Sequence, residues 1–291
     1  MSHKRHVDGP RHWLPSVLIL VLAIAIHAID SYRESVVIQG LRNAGHIPLF
    51  MALTLFGGWL LRFDLKKTAV TIVFVALLAE ASQRLTGGEV DPRDLAADLV
   101  GLGLALLALK SWSAARLAGR LAAVSIILAG FLPAFGWMIT WQERTAIAPC
   151  LVKFDHIFLN RIHYFMHADP VELTTDRVVL ALQPSDFAGW RLIDPIHDWT
   201  EAEGLRLKFS VVPNTPVTVR IHDREHTHQS SDRYNRTWLD GRADVTIPLS
   251  EIRTAPKTRE LSMDHISEIQ IFVADPKPDT KLTVHAPCLA R

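Results

Sequence analysis

The chain of 291 residues is sparing with several residue types, holding two cysteines, three tyrosines and five methionines. Its 31 Lys and Arg nearly cancel its 30 Asp and Glu, giving a formal net charge of +1. With no excess of positive charge, and no Lys/Arg-rich patch interleaved with aromatics, nucleic acid is excluded as an expected partner. A G-x-S-x-G elbow, an H-E-x-x-H helix and a P-loop are all missing, so no familiar motif points to an enzyme. No cofactor is expected. From Glu143 onward there is also no apolar run near the ~20 residues that a membrane helix needs.

What is present divides in two. Apolar runs fill the stretch from Trp13 to Trp141, whereas charges recur every few residues after Glu143. The expected architecture is an α-helical polytopic membrane domain followed by an all-β jelly-roll or sandwich domain over residues 150–291. Five segments approach spanning length: Trp13 to Ile29, His46 to Leu61, Thr68 to Leu85, Leu95 to Leu109 and Leu121 to Trp141. Residues 1–12 form a short tail. Lys4, Arg5 and Arg11 precede the first run as in a signal peptide, but His27 and Asp30 close it without a small-residue cleavage site, so it reads as an uncleaved helix.

Basic residues of short loops stay on the cytoplasmic side. Lys4, Arg5, Arg11, Arg62, Lys66, Lys67, Lys110, Arg116 and Arg120 fall on one side of the five segments, and acids dilute the bases of the other. The N-terminus is therefore expected inside and the C-terminal domain outside. Cys150 and Cys288 lie at the two ends of that domain and outside every apolar run. They suit a bridge in an oxidising compartment, with a free pair as the alternative.

Ionisable groups inside a membrane segment cost about 2.5 to 3.5 kcal/mol each at a helix centre, so those present ask for a reason. Glu80 and Gln83 share one helical face, Asp94 and Asp98 share another, and His46 opens the second segment. All five fall near one leaflet and are candidates for a polar cluster. Asp91, Pro92 and Asp94 also read as an ordinary helix start, and Glu80 with Gln83 as packing hydrogen bonds between helices.

The runs GHIPLFMALTLFGGWLL and AEASQRLTGGEVDPRDLAADLVGLGLAL resemble the VanZ-like membrane family over residues 13–110. The matching positions are His46, Glu80, Gln83, Asp94, Asp98 and Gly101. The chain departs from the family at Asn43, Ala44 and Glu89, where Asp-Lys and a basic turn residue are usual. The resemblance implies a four-helix unit in a bacterial inner membrane, with membrane lipid as its surroundings, and no established chemistry.

The second half alternates apolar and polar residues at period two in six stretches: Asp176 to Leu182, Gly204 to Val211, Pro216 to Asp223, Asp244 to Ser250, Glu268 to Ala274 and Thr280 to Ala286. Turn residues such as Asp240-Gly241 separate them, which argues for a sandwich or jelly roll. The segment His222 to Asn235 reads as a polar loop. Its histidines match no zinc spacing, so no metal is expected. Asp223, Asp232, Arg233, Tyr234, Asn235 and Trp238 supply the residue types of a sugar site, although loop hydrogen bonds account for the same residues. His163 and His167 would share a face if their stretch were helical.

The strand ending in His222-Asp223, the W-L-D-G turn and the late EIQIFV strand are similar to galactose-binding-like jelly-roll modules over about residues 176–286. That resemblance implies carbohydrate binding. Three readings follow: a non-enzymatic cell-envelope protein displaying a glycan-binding domain, possible partners being envelope glycan or polysaccharide; an enzyme or transporter acting on a lipid-linked or anionic substrate through His46, Glu80, Asp94 and Asp98; and a protein-interaction platform.

Overall fold

The computed structural model describes residues 36–60, 64–85, 92–113, 117–196, 198–225 and 231–290. Four helices come first: α1 (Val36–Leu60), α2 (Leu65–Leu85), α3 (Pro92–Ser113) and α4 (Leu117–Ala146). Eleven strands follow among the described residues: β1 (His163–Met166), β2 (Ala168–Leu173), β3 (Arg177–Leu182), β4 (Phe187–Ile193), β5 (Gly204–Val212), β6 (Val217–Asp223), β7 (Tyr234–Trp238), β8 (Arg242–Pro248), β9 (Ile266–Ala274), β10 (Lys281–His285) and β11 (Cys288–Ala290). A short helix, α5 (Leu249–Arg253), follows β8. The described residues form two compact units, one over residues 38–135 and one of Val36 and Val37 with residues 136–290.

Four of the five expected segments are helical, but the count of five spans reduces to two. Pro92–Trp112, with mean hydropathy 1.6, and Leu117–Ala146, with 2.0, are long and apolar enough to cross a membrane. Trp13 to Ile29 lies outside the described residues, as do the side chains that close α2. α1 starts ten residues before the expected segment, so Arg42, Asn43 and His46 fall inside the helix and dilute it. α3 begins on a first-turn proline with Asp94 in the same turn, where the free backbone N–H groups and the helix dipole favour both.

Small residues set the packing of the helical unit. A Cβ built on Gly101 would lie 2.4 Å from the carbonyl oxygen of Ile47, so α3 reaches the backbone of α1 only because position 101 has no side chain. Ala105 and Ala108 on the same helix are also buried.

The second unit is an antiparallel β-sandwich. One sheet runs β1-β4-β9-β6-β7, and the other runs β11-β5-β10-β3-β2 with β8 on the free side of β5. The period-two pattern dictates the two layers. Ala188, Trp190 and Leu192 of β4, Ile269, Ile271 and Val273 of β9, and Val217, Val219 and Ile221 of β6 face inward against Leu205, Leu207, Phe209 and Val211 of β5. At Asp240-Gly241 the chain passes from one sheet to the other, and Gly241 takes a left-handed φ of 66°. Cys150 and Cys288 are joined by a disulfide with an S–S distance of 2.03 Å, which ties the entry of the unit to β11.

The last turns of α4 belong to this unit. Arg144 Nη1 donates to Asp194 Oδ2 at 2.9 Å, and the backbone N–H of Val37 donates to the same oxygen at 3.0 Å. Both side chains of the Arg144–Asp194 pair are almost fully buried, where a charge is tolerated only with a partner.

Candidate functional site

In the helical unit, the close approach at Gly101 brings α1 against the start of α3. His46 Nδ1 shares a hydrogen bond of 2.7 Å with Asp98 Oδ1, and His46 Nε2 stands 4.0 Å from Asp94 Oδ2. All three residues are buried. Such an arrangement fixes the imidazole and gives it a carboxylate with which to hold a proton. The side chains of Glu80 and Gln83, the other expected members of the cluster, lie outside the described residues.

In the sandwich, the expected loop from His222 to Asn235 is partly strand. His222 and Asp223 end β6, Tyr234 and Asn235 open β7, and His226 and His228 lie outside the described residues. The six expected ligand residues do not form one site, because alternation sends them to different surroundings. Asp223 and Asp232 are buried and share one cation: Arg259 reaches Asp223 Oδ1 at 2.6 Å through Nη2 and Asp232 Oδ1 at 2.5 Å through Nε. Asp223 also accepts the backbone N–H of Ser262 at 2.9 Å. These carboxylates hold the fold together, and their oxygens are engaged.

Tyr234 and Trp238 face the core side of β7. Tyr234 donates its hydroxyl to Glu251 Oε1 at 3.0 Å, and burial, with Glu251 beside it, pushes the phenol well above its usual range. Trp238 meets Phe209 edge-to-face at 5.4 Å and carries the Arg236 guanidinium over its ring at 4.9 Å. Only Asn235 points to the opposite face. His163 and His167 sit on a strand and at the turn after it, so they share no helical face. His163 is buried beside Phe154 and Phe165, and that burial lowers its pKa to about 4.

A different set of residues converges on the outer face of the β1-β4-β9-β6-β7 sheet. The cross-strand register aligns Tyr164, Arg191, Gln270, Arg220 and Asn235 in one row across all five strands. At the usual strand spacing the row is about 19 Å long. Tyr164 is 48% exposed, and Asn235 is exposed as well. Beside the row, Arg220 lies over the ring of Phe272 at 4.8 Å, and Phe187 meets Phe272 edge-on at 6.2 Å. A Cβ on Gly189 would lie 2.2 Å from the Ile271 carbonyl oxygen and 2.7 Å from the Phe272 Cα, so only glycine fits under this aromatic patch.

Hydrogen bonds hold the row in shape. Arg191 Nη2 donates to Glu268 Oε2 at 2.7 Å, Gln270 donates to the other oxygen of Glu268, and Arg220 Nη1 donates to Gln270 Oε1 at 3.2 Å. The sequence carried a signal for this row: in VTVRIHD and EIQIFVA the residues at 220, 270 and 272 occupy the outward positions of the alternation. Arg259, by contrast, lies 36 residues from Asp223 and carries no local signal.

Planar polar groups beside aromatic rings on an open sheet form a surface fit for hydroxyl-rich ligands. Among the described residues no cluster of histidine, cysteine and acidic side chains is arranged to hold a metal.

No protein-family model matches the chain. No curated protein matches it either. Solved structures do resemble it over the sandwich. The family 11 carbohydrate-binding module of the cellulosomal cellulase Lic26A-Cel5E of Clostridium thermocellum aligns with a TM-score of 0.36 at 14% identity, covering 49% of this chain and 94% of the module. A family 29 carbohydrate-binding module from Piromyces equi aligns with a TM-score of 0.28 at 9% identity, over 44% of this chain and 80% of the module. An exo-beta-agarase aligns with a TM-score of 0.35 at 13% identity, over 49% of this chain but a quarter (25%) of its own length. At these values the likeness assigns neither a ligand nor a binding face. The resemblance of residues 13–110 to VanZ-like domains therefore remains one of motif.

Proposed function

We propose that this chain is a membrane-anchored polysaccharide-binding protein of the bacterial cell envelope, non-enzymatic, whose binding face is the outer surface of the five-stranded sheet. The observation that carries the reading is the in-register row of Tyr164, Arg191, Gln270, Arg220 and Asn235 beside Phe272. Rings offer apolar faces to sugar C–H groups, while amide and guanidinium groups donate to hydroxyls along an extended chain. Two apolar helices support the anchor, and the Cys150–Cys288 disulfide suits a sandwich outside the cytoplasm. The basic residues Lys66, Lys67 and Lys110 at helix ends suit a cytoplasmic N-terminus. Purified full-length protein in detergent, titrated against envelope and plant polysaccharides by calorimetry, is expected to bind at least one class. Absence of binding across the whole panel overturns the reading.

One observation favours a second activity in the helical unit. The buried His46–Asp98 pair, with Asp94 at 4.0 Å, suits a proton-handling site for a lipid-linked substrate or an ion. Asp98→Asn keeps the shape and removes the charge. If a cellular phenotype of the gene survives that change in a protein that accumulates normally, this second reading is wrong.

A further inference from the structure

The outer-face arginines carry more donors than their neighbours accept. Atoms Nε of Arg191, Arg220 and Arg233 are each buried and have no hydrogen-bond partner among the described residues. A buried N–H without an acceptor costs about 1 to 3 kcal/mol, more for a charged group, so three on one surface ask for an acceptor from outside. The facing charges do not supply it. Glu268 is the acid of this face, and both its oxygens are taken, by Arg191 Nη2 and by Gln270. His222, which pairs in register with Glu268, adds no negative charge.

Arg233 precedes β7 and stands close enough to Arg220 to repel it. Burial first, and then Arg233, lower the pKa of Arg220 against the opposing pull of Glu268. Three guanidinium groups thus answer to one carboxylate. The other sheet differs: Arg206 and Lys208 both reach Asp244, at 3.9 and 3.4 Å, and Arg177 pairs with Glu172.

We infer that the outer face of the five-stranded sheet selects anionic polysaccharides, with Arg191, Arg220 and Arg233 receiving the oxyanions of the sugar chain while Tyr164 and Phe272 take its rings. A guanidinium fork matches a planar carboxylate or the oxygens of a sulfate or phosphate ester, and these charge-assisted bonds are roughly twice as strong as neutral ones. This inference rests on the polysaccharide-binding reading and narrows it to a ligand class.

The test uses full-length protein in neutral detergent, titrated with three probes of similar length: a neutral mixed-linked β-glucan, a polygalacturonate and a sulfated galactan. The expected result is affinity at least ~10-fold higher for a charged probe than for the neutral one, weakening as salt rises because the Debye length shrinks. The better of the two charged probes tells carboxylate from sulfate recognition. Arg191→Gln and Arg220→Gln are each expected to weaken the charged probe about tenfold and to leave Lys208→Gln, on the other sheet, as an unaffected control. Equal or tighter binding of the neutral glucan overturns the inference and leaves polysaccharide binding standing. No binding of any probe overturns both. Charged-probe binding that survives both arginine changes places the ligand elsewhere and also overturns the inference.

Discussion

The two outer faces of the sandwich are built on the same alternation and carry cations in similar positions, yet they treat those cations differently. On the β5 side, Lys208 and Arg206 meet Asp244 across the strand pair, and on β3 Arg177 meets Glu172. On the β6 and β4 side, Arg220 and Arg191 keep buried Nε–H groups without acceptors. Cross-strand pairs of opposite charge are the ordinary way for a sheet to keep a solvated face quiet. A face that omits them retains binding capacity, and this difference, rather than the polar loop before β7, marks the candidate surface.

The comparison depends on which arginines are already committed, and Arg259 is the clearest of these. Arg259→Met strands Asp223 and Asp232 as buried carboxylates without a counter-charge, and the sandwich is expected to lose about 3 to 5 kcal/mol in denaturant unfolding. A loss below ~1 kcal/mol would show that those two acids are not held structurally and would return them to the list of ligand groups.

A pH titration sharpens the contrast between the inside and outside of the same sheet. His163 faces inward on β1 with a pKa of about 4, against 6.5 for a free imidazole. Because the folded-state value is depressed, the unfolded chain takes up a proton that the native protein refuses. Stability is therefore complete above about pH 6.5 and declines by about 3 kcal/mol as pH falls toward 4. His163→Leu should flatten that part of the stability profile, and an unchanged slope would place the titration elsewhere.

Gly189 separates the aromatic patch from ordinary sheet packing. Gly189→Ala puts a methyl group against the Ile271 carbonyl and the Phe272 backbone, for an expected loss of about 1 to 3 kcal/mol by thermal unfolding. Smallest of all, Lys208→Met removes an exposed partner of Asp244 and is expected to change stability by less than ~0.5 kcal/mol. A larger effect there would mean that the six-stranded face is not the quiet one.

Much of the fold was legible from the order of residues. All six period-two stretches are strands, because a half-buried strand writes its two faces into alternate positions. Those missed are the ones whose pattern is blunted. β7 exposes Asn235, Arg236 and Thr237 in succession and looks like loop, β2 carries Pro170 beside a register shift, and β1 and β11 are only four and three residues long. The helical segments were legible, but their lengths were not, since a helix continues past its apolar stretch wherever no breaker stops it. α1 shows this by running back through Arg42.

The candidate site was less legible. His46, Asp94 and Asp98 were found because ionisable groups stand out against apolar sequence. In the sandwich, polar residues are common, and the reading settled on the densest polar run. Tertiary pairing decided the matter instead. Arg259 claims Asp223 and Asp232 from a distant segment, and the binding row takes one residue from each of five strands, an arrangement visible only once the register is known.

The most direct measurement is a hydroxyl-radical footprint of the full-length protein in detergent, with and without a saturating polysaccharide. Ligand is expected to protect Tyr164, 48% exposed on the five-stranded face, and to leave Val212, 66% exposed on the other sheet, oxidised at its free rate. Protection of Val212 with Tyr164 unchanged would contradict the assignment of the binding face.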